Sequence, residues 1–262
     1  MALPTLVLVH GGGLAADSWE LAVEELNRIA PELNVLAPDL PGRRNKPGDL
    51  PTLTLADCVQ SVVDDIADAG LDDIVLVGHS LAGLTVPSVV AKLGSSKVRE
   101  MILATAFVPP EGTSLADTLT GPFAPTARRN AKRGGLSQTP SLGIRFLYLN
   151  GVPRARRKFM ADKVHPESAR ILGEKVSRQG MPDDVPRTWI LTLRDRALSP
   201  KMQRQYIDAL GGVQTLIEVD TCHCLMISEP ERLAEILIER CRLYDPEPPQ
   251  TNGRAEKRRA GK

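Results

Sequence analysis

The chain has 262 residues, 42% of them hydrophobic and 25% charged, with 33 Lys and Arg against 32 Asp and Glu. That is ample for one soluble α/β domain with its own core, and no apolar run is long enough to span a bilayer. Four cysteines, at positions 58, 222, 224 and 241, show no disulfide-framework spacing, so reduced thiols and a cytoplasmic location are expected. The start, Met1-Ala2-Leu3-Pro4, enters a core strand almost at once and leaves no room for a signal peptide.

The first strand is expected over 5–9 and runs into His10-Gly11-Gly12-Gly13. A glycine loop directly after a strand is either a flexible turn or a bare backbone that can aim N–H groups at an oxyanion. A helix over about 18–29 follows, then a strand near 34–38 and a helix over 55–69. The strand near 74–78 leads into Gly78-His79-Ser80-Leu81-Ala82, with helical pattern over 81–93 behind it. A β-branched strand, a turn of small residues around a central Ser, and a helix form the context of a nucleophile elbow. Its strained turn holds the Ser hydroxyl clear of the sheet. The fifth position is usually Gly; here it is Ala82, which is still small. A Ser in such a turn also occurs for structural reasons alone.

The strand near 98–104 ends in Thr105-Ala106-Phe107, with no carboxylate before Glu111. Between Pro109 and Pro186 the rhythm of strand and helix breaks, and only partial helical periodicity returns around 154–178. The stretch is too long for a bare loop, and an inserted helical lid over the C-terminal edge of the sheet, about 109–186, accounts for it. The strand near 188–193 ends in Arg194-Asp195-Arg196, ahead of a helix over 201–210. A carboxylate there can accept from a His ring N–H and fix its tautomer, or serve as an ordinary helix-opening or ion-pair residue. The strand near 214–219 reaches Asp220-Thr221-Cys222-His223, and a helix over 230–243 closes the domain at about residue 244. The composition of 245–262, rich in Pro and then in Lys and Arg, suggests a disordered basic tail.

This order predicts an α/β fold with a doubly wound, mainly parallel sheet of about six strands and the lid inserted into it. Of the four histidines, His10 belongs to the glycine loop, His79 is locked in the Ser turn and His165 lies in a charged stretch. His223 remains as the general base, the plainer reading being a solvated loop His. Cys222-His223-Cys224 lacks a second ligand pair, so no metal is expected. Ser80, Asp195 and His223 follow one another in the chain order of α/β-hydrolases.

Over roughly positions 4–244 the chain resembles the α/β-hydrolase superfamily, and within it the small esterase and hydroxynitrile lyase group that includes plant methyl salicylate esterases. The resemblance is carried by Leu8-Val9-His10-Gly11-Gly12-Gly13 with Ser18-Trp19, Ala37-Pro38-Asp39-Leu40-Pro41-Gly42, Leu76 to Gly83, and Asp195 to Pro200 with His223. It implies Ser80 as nucleophile, His223 as base, Asp195 as orienting acid, and the backbone N–H groups of Gly12 and Leu81 as oxyanion donors. The lyases of that group carry a Thr directly after the loop His and a Lys directly after the catalytic His. Here Gly11 and Cys224 stand there, which disfavours lyase chemistry.

These residues point to a serine hydrolase that cleaves a small-molecule carboxylic ester through an acyl-enzyme, with no cofactor. A thioesterase acting on an acyl-coenzyme A or acyl-carrier-protein substrate is the first alternative. A non-catalytic small-molecule binding protein on the same scaffold is the second. The net charge of +1 hides an uneven distribution: Pro125 to Gly180 holds thirteen Lys or Arg against three Asp or Glu. Arg128, Arg129, Lys132 and Arg133 form one cluster, and Arg154, Arg156, Arg157 and Lys158 another. Placed over the active-site mouth they would draw in an anionic substrate or an acidic partner. Otherwise they solvate the outer faces of lid helices. Aromatic residues do not alternate with these charges and no nucleic-acid-binding motif is present, so nucleic acid is not an expected partner.

Overall fold

The computed structural model describes residues 3–119 and 124–245. Its first half alternates strand and helix: β1 (Thr5–Val9), α1 (Glu20–Ile29), β2 (Val35–Leu36), α2 (Leu55–Asp68), β3 (Ile74–His79), α3 (Val86–Leu93) and β4 (Val98–Ala104). The segment after β4 holds α4 (Leu115–Thr118), α5 (Ala124–Arg133), β5 (Leu136–Ser137), the single turn α6 (Ser141–Gly143), α7 (Arg154–Ala161) and β6 (Glu167–Ser168). The chain closes with β7 (Arg187–Thr192), α8 (Pro200–Ala209), β8 (Thr215–Val219), the short α9 (Leu225–Ser228) and α10 (Pro230–Arg242).

Six strands form one parallel sheet in the order β2-β1-β3-β4-β7-β8. Alternation of side chains along each strand divides the core into two layers. Leu6, Leu8, Val75, Val77 and Ile102 pack toward Leu26 of α1 and Leu237 of α10. Val7, Val9, Leu76, Met101 and Leu103 pack on the other face with Val59, Val62 and Ile66 of α2 and Val86 and Val90 of α3. Both faces of the central strands are therefore apolar, which is why they read as continuous hydrophobic runs. Strand β2 is shorter than expected: Pro38 follows almost at once and offers no N–H to a ladder.

The expected helix over 81–93 divides in two. Ser80–Leu84 is a 3-10 turn, and α3 begins only at Val86, with Pro87 in its first turn. Helix α2 opens on a reciprocal cap in which the Thr54 hydroxyl accepts from the Asp57 amide and the Asp57 carboxylate accepts from the Thr54 amide. The segment between β4 and β7, expected as helical, also contains an antiparallel pair, Leu136 opposite Ser168 and Ser137 opposite Glu167. The reason is local: Gly134 and Gly135 take φ of 72° and 93°, which end α5 and turn the chain into an extended run. The basic tail expected over 245–262 lies, from residue 246 on, outside the described residues.

Candidate active site

Ser80, Asp195 and His223 follow the C-terminal ends of β3, β7 and β8, strands that run in parallel in one sheet. The same edge of the sheet therefore carries all three, and the structure brings them together. His223 Nε2 lies 2.7 Å from Ser80 Oγ, and His223 Nδ1 lies 2.7 Å from Asp195 Oδ2. Ser80 has φ of 53°, a backbone conformation that non-glycine residues rarely hold and that the surrounding turn must impose. The turn closes tightly against α3: a Cβ placed on Gly78 would lie 2.8 Å from Val86 Cγ2 and 3.4 Å from Ala82 Cβ. Because Gly78 lacks a side chain, Ala can occupy position 82.

The Asp195 carboxylate is fully occupied. Its Oδ1 accepts from the amides of Ala197 at 2.8 Å and Leu198 at 2.7 Å. Its Oδ2 accepts from Thr105 Oγ1 at 2.5 Å and Thr192 Oγ1 at 3.0 Å, besides the His223 ring. Burial alone would raise its pKa. The His223 ring, the Leu198 amide and the Thr105 hydroxyl outweigh that effect and hold the carboxyl below the usual range. Glu111, the first acid after β4, accepts instead from the Arg178 amide at 2.9 Å.

Neither threonine stands out in the sequence. Thr105 directly follows β4, and its φ of 40° is unusual for a β-branched residue. That strain aims its hydroxyl across to β7 and becomes visible only once the strands are neighbours. His79 and His10, set aside as bases, have structural work instead. His79 Nε2 donates to the His223 carbonyl at 3.0 Å, and burial lowers the His79 pKa to about 3. His10 Nδ1 donates to the Gly11 carbonyl at 2.9 Å while its Nε2 accepts from the Leu40 amide at 3.1 Å; burial lowers its pKa to about 4. Both rings are therefore neutral near pH 7.

The glycine loop lies directly against the Ser turn. A Cβ on Gly11 would sit 2.9 Å from His79 Nδ1 and 3.0 Å from Ser80 Cβ, and one on Gly12 would sit 2.6 Å from Leu81 Cδ2. Gly12 and Leu81, the two expected oxyanion donors, are thus neighbours beside Ser80. The next amide, Gly13, donates to Glu167 Oε2 at 2.9 Å. Glu167 also meets Arg43 Nη2 at 2.5 Å, and Arg43 Nε donates to the Leu14 carbonyl at 2.6 Å. A buried ion pair thus ties the segment between β4 and β7 to the glycine loop. One signal was available in the sequence: Glu167 is one of only three acids among thirteen cations.

Glu167→Gln leaves the Arg43 charge buried without a counter-ion. It is expected to cost about 3–5 kcal/mol, read from denaturant unfolding. Replacing the pair together, as Arg43→Met with Glu167→Leu, should restore most of that stability but not the acceptor for Gly13. A single-mutant loss under about 1 kcal/mol would place this pair among ordinary surface contacts.

Residues 6–236 match the model of the alpha/beta hydrolase family. The chain belongs to that family. A carbendazim-hydrolyzing esterase from Nocardioides sp. is 30% identical over 249 residues, covering 90% of this chain and 98% of the relative. A putative chloroplastic methylesterase 14 from Arabidopsis thaliana is 27% identical, covering 89% of this chain and 70% of that protein. Among solved structures, an extracellular alpha/beta-hydrolase from a Paenibacillus species has a TM-score of 0.78 at 23% identity, covering 90% of this chain and 98% of its own. That likeness is one of fold.

In this alpha/beta hydrolase a cavity of about 230 Å³ opens onto Ser80 and His223. Its far wall comes from the segment between β4 and β7, through Leu115, Leu119, Ile144, Tyr148, Met160 and Leu172. Among the described residues no Lys or Arg lines it. Cys224 lies in the wall beside His223, and burial pushes its thiol well above the usual range, so it stays neutral. The ring of Tyr148 lies 5.1 Å from that of His223 and the ring of Phe107 lies 6.3 Å from it. Among the described residues no helix is long and apolar enough to cross a membrane.

Proposed function

We propose that this alpha/beta hydrolase is a serine esterase in which Ser80, His223 and Asp195 form the catalytic triad. The observation that carries the reading is His223 at 2.7 Å from both partners, one ring nitrogen to each. Asp195 accepts a hydrogen bond from His223 Nδ1–H, which holds the ring in the tautomer whose Nε2 is free to accept from Ser80 Oγ. The Ser80 oxygen attacks the ester carbonyl, and the Gly12 and Leu81 amides hold the oxyanion. His223 then hands the proton to the departing alcohol. Water, deprotonated by the same His223, attacks the acyl-enzyme and releases the acid, so that ester and water become acid and alcohol.

The segment between β4 and β7 acts as a lid that excludes water from this chemistry. Apolar walls and few polar groups suit an ester with an apolar acyl or alcohol portion. The relatives named as esterases support the reaction class. Four buried, unpaired thiols fit a reducing compartment, the cytoplasm. A panel of p-nitrophenyl esters of graded acyl length tests the reading: turnover should depend on acyl length and saturate. No turnover above the buffer rate across the panel would sink it and favour a non-catalytic binding protein.

Hydroxynitrile cleavage is expected to be absent. A departing cyanide needs a cation or strong donor, whereas the position after His223 is a neutral buried thiol and, among the described residues, no Lys or Arg lines the cavity. The position after His10 has no room for a hydroxyl-bearing side chain beside Ser80. Cyanide released from mandelonitrile above the uncatalysed rate, and lost in Ser80→Ala, would show that another group stabilises the anion.

A further inference from the structure

Nine of the thirteen cations of the segment between β4 and β7 fall into two sets. One set is consumed by the fold. Lys163 pairs with Asp17 and Glu20, Arg170 with Glu174, Arg178 with Glu111 and Arg156 with Glu231. Arg128 donates to the carbonyls of Ala116 and Leu119, and the expected 128–133 cluster lines neither the cavity nor the groove described next. Placement over the mouth is therefore corrected for that cluster: α5 turns it away.

The other set converges. Arg145, Arg154, Arg157 and Lys158 line one open groove of about 720 Å³, and among the described residues no Asp or Glu lines it. Among the described residues none of these four has an ion-pair or hydrogen-bond partner for its side chain. Arg154, Arg157 and Lys158 stand at i, i+3 and i+4 on α7, a spacing at which like charges repel. The groove is not remote from the chemistry: Thr139, Ile144 and Val164 line both it and the cavity over Ser80. One ligand can thus place its acyl group beside Ser80 and its other end among four free cations.

We propose that this groove binds the leaving group of the acyl substrate through several phosphates, as in an acyl thioester of coenzyme A. The proposal rests on the reading of Ser80 as the acylated nucleophile. Three guanidinium forks and one ammonium match a polyanion better than a single carboxylate, and guanidinium geometry suits phosphate oxygens in pairs. The step balances as for an ester. The Ser80 oxygen bonds to the acyl carbon, the carbon–sulfur bond breaks, and His223 gives its proton to the sulfur. The phosphorylated thiol leaves, and water then releases the carboxylic acid and restores Ser80.

The test compares butyryl-coenzyme A with butyryl pantetheine, which keeps the thioester and its arm but lacks the phosphates. The wild-type kcat/KM should be at least about tenfold higher for the coenzyme A thioester at low salt, and that ratio should shrink toward physiological salt. Arg154→Gln, Arg157→Gln and Lys158→Gln together should bring the ratio to about one. Arg129→Gln with Arg133→Gln, which removes charge on α5 outside the groove, should keep it. Free coenzyme A should inhibit p-nitrophenyl butyrate hydrolysis competitively in the wild type, a readout that needs no variant.

Equal wild-type rates for the two thioesters, or a ratio unchanged in the triple variant, would overturn the groove assignment and leave the esterase standing. A higher rate with a butyryl carrier protein than with butyryl-coenzyme A would assign the site to a protein-borne arm and overturn the several-phosphate ligand. Absence of all acyl turnover, with Ser80 unlabelled by a fluorophosphonate, would fail the hydrolase reading itself and the leaving-group assignment with it.

Discussion

Ser80→Ala is expected to lower ester hydrolysis by about six orders of magnitude in kcat, roughly 8 kcal/mol of transition-state stabilisation. The variant removes the atom positioned to attack: Ser80 Oγ is the group that His223 Nε2 faces at 2.7 Å. What remains is the rate from binding and the Gly12 and Leu81 amides acting on water, which is small without the covalent step. The fold should hardly respond, because Ala tolerates the φ of 53° no worse than Ser does and the lost hydrogen bond is a single one. A fluorophosphonate should therefore label Ser80 in the wild type and nothing in the variant, at matching denaturation midpoints. Hydrolysis unchanged in Ser80→Ala, or the label found on another residue, would remove Ser80 from the mechanism.

Asp195→Asn is the second large effect, at about four orders of magnitude in kcat with KM little changed. The structure decides how the new amide sits. Two fixed backbone donors, the amides of Ala197 and Leu198, face one carboxylate oxygen and require an acceptor there. The Asn oxygen takes that place, so its NH2 points at His223, Thr105 and Thr192. The threonine hydroxyls can rotate to accept, but the ring must then present Nδ1 as an acceptor and carry its proton on Nε2. A protonated Nε2 has no lone pair with which to accept the proton of Ser80. The reverse flip sets NH2 against two N–H donors and is worse. A loss smaller than tenfold would show that the ring tautomer is set by a different group, and the His79 contact to the His223 carbonyl would be the first to probe.

The expected residues of this site were legible because each stands at a strand end with a local signature. Ser80 lies in a small-residue turn, Asp195 three residues past a buried strand, and His223 on a loop before a Pro-opened helix. Thr105 and Thr192 were not legible, since a threonine at a strand end carries no mark until another strand brings a carboxylate beside it. Glu167 and Arg43 are 124 positions apart, and their pairing depends on how the segment between β4 and β7 folds back over the glycine loop. The same holds for the basic residues. Their excess is plain in the sequence, but whether a given Arg meets a carbonyl, a Glu or open space is a matter of three-dimensional neighbours.

The alternation of strand and helix, the two-sided burial of the sheet and the chain order Ser80, Asp195, His223 are written in local pattern. These depend on local periodicity and short-range turn chemistry, which a single strand or turn already expresses. The tertiary structure alone decided the five-bonded setting of Asp195, the Arg43–Glu167 tie to the glycine loop, and the convergence of Arg145, Arg154, Arg157 and Lys158 on a groove beside the cavity. Each of those is an encounter between segments far apart in the chain. Hydrogen bonds and charges act over a few ångströms of space, and local sequence pattern holds no information about which distant segments will lie that close.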